Sequence, residues 1–210
     1  MIRFFNNFVK ATGWPAQLIC FRTKVYYENK AVQSRRIRGS AILVSNHTAV
    51  YDYAVMLFVF FTRTLRYQMA EVLFRKKVLG PFLKNMGGIL VDRDSTNYSF
   101  MSESARILEQ GGVVGIFPEG RLPREGETPP IAFLPGAAYL AISTGVKVIP
   151  VYTNGSYFKR SRARVMIGTP MDPADYCVSG RSEKENIEAF TEAMRNRIIE
   201  LRTKLDERRD

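Results

Sequence analysis

The sequence predicts an α/β fold: a single domain with a central, largely parallel or mixed sheet flanked by helices, plus a basic, aromatic N-terminal helical segment. Three observations lead there. Short apolar runs alternate with helix-period segments from residue 41 onward. Gly111-Gly112 and Gly145 punctuate the joins. The 210 residues, 46% apolar and 24% charged, suffice for one sizeable core and lie far from disordered composition.

The elements follow in order. AILVS (41–45) has the composition of a buried strand, and a helix rich in large apolar residues spans about 49–62. YQMAE (67–71) reads as a strand, FRKKVLGPFLKNM as a helical segment interrupted at Gly80-Pro81, and GGILVDR (87–93) as a strand. Ser95 or Thr96 caps a helix that runs to Gln110. VVGIF (113–117) is a strand, GAAYLAIST a helix closed by Gly145, and KVIPVYT (147–153) and ARVMIG (163–168) are further strands. In the last helix Ser182 and Glu185 form a capping box. Ile187, Phe190, Met194, Ile198 and Leu201 recur there at three- and four-residue spacing, and the closing LDERRD is expected to be frayed and solvated.

Charge divides the chain. Residues 1–40 hold eight Lys/Arg against one acid, Glu28, which is +7 of the net +11. The same stretch carries Phe4, Phe5, Phe8, Trp14, Phe21, Tyr26 and Tyr27. That mixture suits an ordinary first helix, an interfacial helix on anionic lipid, or a surface for single-stranded nucleic acid. The longest apolar run, YAVMLFVFF (53–61), has nine residues where about 20 are needed to span a bilayer. No secretory signal fits the start. Cys20 and Cys177 match no metal or redox spacing and fit reduced thiols of a cytoplasmic protein. With one histidine, a transition-metal site is not expected. The division expected is residues 1–27 as an interfacial segment and 28–210 as a catalytic domain.

That one histidine lies in SNHTAVYD (45–52), just after a predicted strand. Residues five apart on a continuous helix diverge by about 140°, so His47 and Asp52 meet only if the chain bends between them. A strand ending at Ser45 and a helix beginning near Asp52 supply the bend, at the carboxyl edge where open α/β sheets bind ligands. A carboxylate holding one imidazole nitrogen leaves the other free to act as a base. The plain alternative is a histidine that caps the helix. No G-x-S-x-G elbow is present, so the proton would come from a substrate hydroxyl. FPEG (117–120) also follows a strand, although Pro-x-Gly alone is a turn. Arg93 at the end of GGILVDR can grip a phosphate or pair with Asp92 or Asp94.

Taken together, His-x-x-x-x-Asp (47–52), GGILVDR (87–93), FPEG (117–120) and KVIPV (147–151), in this order, resemble the glycerolipid acyltransferase family, and most of all its bacterial 1-acylglycerol-3-phosphate acyltransferases. The similarity runs from about Tyr27 to Pro170. The resemblance implies that His47 deprotonates the acceptor hydroxyl and Asp52 orients His47. It places Gly87, Arg93, Glu119, Gly120 and Arg121 at the acceptor, with Pro150 structural. It implies acyl-CoA or acyl-carrier protein as donor, a lyso-phospholipid as acceptor, no cofactor, no metal and no covalent acyl-enzyme. It favours an anionic membrane surface at the cytoplasmic face over nucleic acid as the partner of the basic segment.

Two departures stand out. The family block F-P-E-G-T-R-S is FPEGRLP here, so Arg121 comes one position early, and F-K-R-G becomes FLPG (133–136). Both bear on the acceptor, leaving glycerol-3-phosphate or another lyso-lipid as an alternative. Lys159, Arg160, Arg162 and Arg164 offer replacement charge. A reading of another class is a non-catalytic membrane- or nucleic-acid-binding module.

Overall fold

The structure, a computed structural model, describes residues 1–92, 98–158 and 162–208. Helix α1 (Ile2–Cys20) leads into β1 (Lys24–Tyr27), and a long connection reaches β2 (Ala41–Ser45). Then follow α2 (Asp52–Val59), β3 (Leu65–Ala70), the short α3 (Glu71–Phe74), α4 (Leu79–Met86) and β4 (Ile89–Val91). The second half runs α5 (Ser99–Glu109), β5 (Val113–Ile116), α6 (Gly136–Thr144), β6 (Val148–Thr153), β7 (Arg164–Ile167) and α7 (Glu183–Asp206).

Among the described residues seven strands form one sheet, in the order β1-β7-β6-β2-β5-β3-β4. Neighbours are parallel except β6 and β7, so the mixed sheet expected from the sequence is the one found. Val44 of β2 stands opposite both Ile116 and Pro150. This register sets the ends of β2 and β5 side by side, so whatever follows Ser45 meets whatever follows Ile116.

Both faces of the sheet are covered. Leu43, Val55, Met56, Phe60 and Tyr67 pack on the side of α1, α2 and α4; Ile42, Val44, Leu108, Ala138, Phe190 and Met194 pack on the side of α5, α6 and α7. A strand buried on both faces needs apolar residues at every position, which is why AILVS is continuous rather than alternating.

Several elements differ from the sequence expectations. Helix α2 begins at Asp52, later than residue 49, and residues 46–51 form a loop. Gly80-Pro81 does not interrupt a helix but lies in the first turn of α4, where a missing N–H costs no intrahelical bond. The break falls earlier, between Phe74 and Leu79, and a Cβ at Gly80 would stand 2.1 Å from the Phe74 carbonyl oxygen. The cap expected at Ser95 or Thr96 lies outside the described residues, and α5 opens at Ser99. The Ser182–Glu185 capping box is present. The closing segment is more ordered than expected: α7 extends to Asp206 with Leu205 fully buried.

β1 pairs with β7, so the stretch 1–27 contributes its last four residues to the sheet and only α1 stands outside it. Just past β1, Glu28 accepts from the Thr169 backbone N–H and hydroxyl, each at 2.9 Å, from Lys204 Nζ at 2.5 Å, and from Arg197. Burial alone would raise its pKa, but these donors and the nearby cations outweigh it and hold the carboxyl at about 2. A carboxyl whose folded-state pKa is depressed stabilises the fold above its unfolded value of 4.5, and that contribution is lost as pH falls from 4.5 toward 2. Glu28→Gln is therefore expected to lower stability by on the order of 2 kcal/mol at pH 7. In urea titrations the difference from wild type should shrink over that pH window; a constant difference would show that the ion cluster does not stabilise the closure.

Helix α1 is inverted relative to a soluble helix. Its polar Asn6, Lys10 and Gln17 are buried while Phe4, Phe8, Leu18 and Ile19 are exposed, Phe4 by 79% and Ile19 by 77%. Asn6 donates to the Met86 carbonyl at 2.8 Å. Lys10 donates to the Phe61 and Arg63 carbonyls at 3.1 and 2.5 Å, and burial lowers its pKa to about 8. Asn6 and Lys10 thus satisfy backbone carbonyls at the end of α4 and just past α2. Among the described residues no helix is long and apolar enough to cross a membrane.

Candidate active site

The site is built on the loop between β2 and α2. At the strand end Asn46, fully buried, clamps the backbone of Thr153 on β6. Its amide donates to the Thr153 carbonyl at 2.9 Å and its oxygen accepts the Thr153 N–H at 2.8 Å. The chain then turns around the Asp52 carboxylate, which is also fully buried. Oδ2 accepts from Thr48 N–H at 2.6 Å and Ala49 N–H at 2.9 Å and stands 2.8 Å from His47 Nδ1. Oδ1 accepts from Thr48 Oγ1 at 2.8 Å and Tyr157 OH at 2.5 Å.

Two backbone amides and two hydroxyls already donate to this carboxylate, which is how a buried charge is tolerated. It is an acceptor toward the imidazole as well, so His47 carries its hydrogen on Nδ1 and leaves the Nε2 lone pair uncommitted. The His47 side chain is 19% exposed. The bend expected from the five-residue spacing is therefore present, and it brings imidazole and carboxylate together.

β5 supplies the opposite wall. Phe117 lies flat against the imidazole, with ring centroids 4.3 Å apart and planes 11° from parallel. Behind it stands Tyr67, 4.9 Å from Phe117. Glu119 is buried and bridges two main-chain groups: Oε1 accepts His47 N–H at 2.8 Å and Oε2 accepts Ile131 N–H at 3.1 Å. Burial raises its pKa, and those two hydrogen bonds partly offset the rise. Gly120 closes the FPEG turn at φ +69°, where a Cβ would stand 2.6 Å from Leu134 Cδ1. Only glycine is free of strain there.

The remaining candidates are placed differently. Gly87 is the left-handed cap of α4, with φ +84°, its carbonyl accepting from Arg66; a Cβ on it would meet Arg66 and Ile2. Arg121 makes a two-pronged ion pair with Glu127 at 2.6 and 2.8 Å, which holds the Glu127 carboxyl at about 2. Arg93, Lys159 and Arg160 lie outside the described residues. β4, which leads to Arg93, ends at the same edge of the sheet as β2 and β5. Arg164 faces away, its guanidinium donating to the carbonyls of Leu205 and Arg208 at the end of α7. Sequence reasoning missed Asn46, Thr48 and Tyr157. A polar residue directly after a buried strand is a signal for Asn46; for Tyr157, 105 positions from Asp52, the sequence carries none.

A family model described as Acyltransferase matches residues 22–154, more than half of the chain and all seven of the site residues expected from the sequence. The chain belongs to the acyltransferase family.

Three relatives named 1-acyl-sn-glycerol-3-phosphate acyltransferase resemble this acyltransferase. The Bacillus subtilis protein is 32% identical over 148 residues, covering 68% of this chain and 71% of its own length. The Haemophilus influenzae protein is 27% identical over 182 residues, 83% of this chain and 75% of its own. That from Borreliella burgdorferi is 26% identical over 173 residues, 77% of this chain and 66% of its own. The fold of this acyltransferase is that of the crystal structure of the 1-acyl-sn-glycerophosphate acyltransferase from Thermotoga maritima. The two share a TM-score of 0.65 at 21% identity, over 96% of this chain and 81% of the other.

Proposed function

We propose that this acyltransferase moves a fatty acyl group from a thioester donor, acyl-CoA or acyl-carrier protein, to the free 2-hydroxyl of 1-acylglycerol-3-phosphate, giving phosphatidate. The observation that carries this reading is the contact of His47 Nδ1 with a buried, fully hydrogen-bonded Asp52 at the carboxyl edge of the sheet. Nε2 takes the proton of the acceptor hydroxyl as its oxygen attacks the thioester carbonyl. The tetrahedral intermediate collapses, the C–S bond breaks, and the departing sulfur takes the proton back from the imidazolium. Asp52 holds the tautomer and stabilises the imidazolium between the two transfers. Glu119 supports His47 from behind, through its main chain. The names of the three relatives support the acceptor.

The test is transfer from oleoyl-CoA and from palmitoyl-carrier protein to 1-acylglycerol-3-phosphate, beside glycerol-3-phosphate and lyso-lipids without a phosphate monoester. The expected result is a kcat/KM at least about tenfold higher for 1-acylglycerol-3-phosphate than for any other acceptor, which is roughly the value of one charge-assisted contact. One observation favours a second reading: both prongs of the Arg121 guanidinium are taken by Glu127. Preference for an acceptor lacking the phosphate monoester would replace the acceptor and keep the chemistry.

The inverted face of α1 supports placing the enzyme on the cytoplasmic face of an anionic membrane. Phe4, Phe8 and Ile19 enter the interface, and the exposed Arg3 beside them meets anionic headgroups. Replacing these three by serine is expected to cut partitioning onto anionic vesicles at least tenfold, since burying one such side chain is worth roughly 1.5–3 kcal/mol. Sedimentation equal to wild type would rule α1 out as the anchor.

A further inference from the structure

Tyr157 lies three residues beyond the span that the family model matches, in the connection between β6 and β7. It is 6% exposed. Its hydroxyl reaches Asp52 Oδ1 at 2.5 Å and Thr153 Oγ1 at 2.9 Å. Every other donor to Asp52 comes from residues 47–49, the same short loop that carries the base. Among the described residues Tyr157 is thus the one donor that ties the carboxylate to a different part of the fold.

The connection that carries it is itself firmly held. The neighbouring Phe158 N–H donates to the Cys20 carbonyl at 3.0 Å, and the buried Phe21 ring packs edge-on against Tyr157 with centroids 5.5 Å apart. Phe158 has φ +57°, a conformation that costs a bulky residue on the order of 1–3 kcal/mol and persists only where the surroundings enforce it. Thr153, the second partner of the hydroxyl, is fixed by the Asn46 clamp. Burial, together with the adjacent Asp52 charge, pushes the phenol pKa up, so the hydroxyl keeps its hydrogen to donate across the working range.

We infer that Tyr157 is a positioning residue for the base: its hydroxyl fixes the rotation of the Asp52 carboxylate and takes up part of its negative charge, and so sets how strongly Asp52 holds protonated His47. The inference rests on the reading of His47 as the base. Without the hydroxyl, Oδ1 keeps, among the described residues, only the Thr48 side chain as donor. More of the carboxylate charge is then available to the imidazolium. Among the described residues the other ionisable groups facing the pair are Glu119, bound to the main chain of His47, and the buried phenol of Tyr67. Neither is altered by a change at residue 157.

His47 is the only histidine, so its imidazole resonances can be titrated by NMR without assignment and without substrate. In Tyr157→Phe the midpoint of that titration is expected to rise by about half a pH unit or more, a fraction of what one hydrogen bond to a charged group is worth. In acyl transfer the acid limb of kcat should move up with it, and kcat at pH 7 should fall several-fold with KM for the acceptor within about twofold. Thr153→Val keeps the phenol but removes the partner that polarises it, and is expected to shift the midpoint in the same direction by less. It serves alone if the first variant does not fold. An unchanged or lowered midpoint in the folded variants would overturn the inference. Because the titration needs no acceptor, a wrong substrate assignment would show in the activity arm only.

Discussion

Replacing His47 with alanine is expected to lower kcat for acyl transfer by roughly 10²–10⁴-fold, the usual contribution of a positioned general base. The fold should survive the change. Among the described residues the imidazole makes a single side-chain hydrogen bond and one ring contact. Once it is gone, Asp52 still accepts from Thr48 N–H, Thr48 Oγ1, Ala49 N–H and Tyr157 OH, so no buried charge is stranded. Circular dichroism and Tm close to wild type would make the lost activity a statement about proton transfer alone. An alanine variant within tenfold of wild type would remove His47 from the mechanism and leave the acyl transfer to another base.

Asp52→Asn is expected to cost as much activity and more stability. Five groups point hydrogens at the carboxylate, and an amide offers one oxygen and one NH₂. The oxygen must take the position facing Thr48 N–H, Ala49 N–H and His47, because the reverse orientation sets donors against donors. The NH₂ then faces the Thr48 and Tyr157 hydroxyls, which must rotate to accept. The tautomer is kept but the charge that stabilises the imidazolium is lost, so kcat should fall about 10²–10⁴-fold. The acid limb of the rate profile should move to lower pH. Weakening several charge-assisted hydrogen bonds at a fully buried site is expected to cost on the order of 1–3 kcal/mol, visible in thermal unfolding. If the asparagine variant kept its activity within a few-fold, His47 would be acting without its carboxylate.

The centre of this molecule was legible in its sequence and its margins were not. AILVS, VVGIF and KVIPVYT announce themselves as strands because burial on both faces demands unbroken apolar runs. The five-residue spacing of His47 and Asp52 forces a bend whose place the strand end decides. β1 was obscured because KVYY lies among cations and aromatics that look like surface, and its partner β7 begins at Arg164. The inward face of α1 was hidden for a related reason. Periodicity shows that a helix has two faces, but not that Asn6 and Lys10 meet free carbonyls at the ends of α4 and α2. Tyr157 reaches Asp52 only because the Asn46 clamp aligns β6 with β2, a relation between residues 107 positions apart.

The closure of β1 on β7, locked by Glu28 against α7, sets an order on synthesis. Lys24 pairs with Arg164, so the strand beside α1 has no partner until about 140 further residues have been translated. At typical elongation speeds of roughly 5–20 residues per second, that is a wait on the order of ten seconds. Throughout it the nascent chain carries a strand with no partner to pair with and, just ahead of it, a helix with apolar side chains on its outer face. Such a segment is open to a lipid surface or a chaperone before its strand closes the sheet. Any encounter made in that interval precedes closure of the sheet.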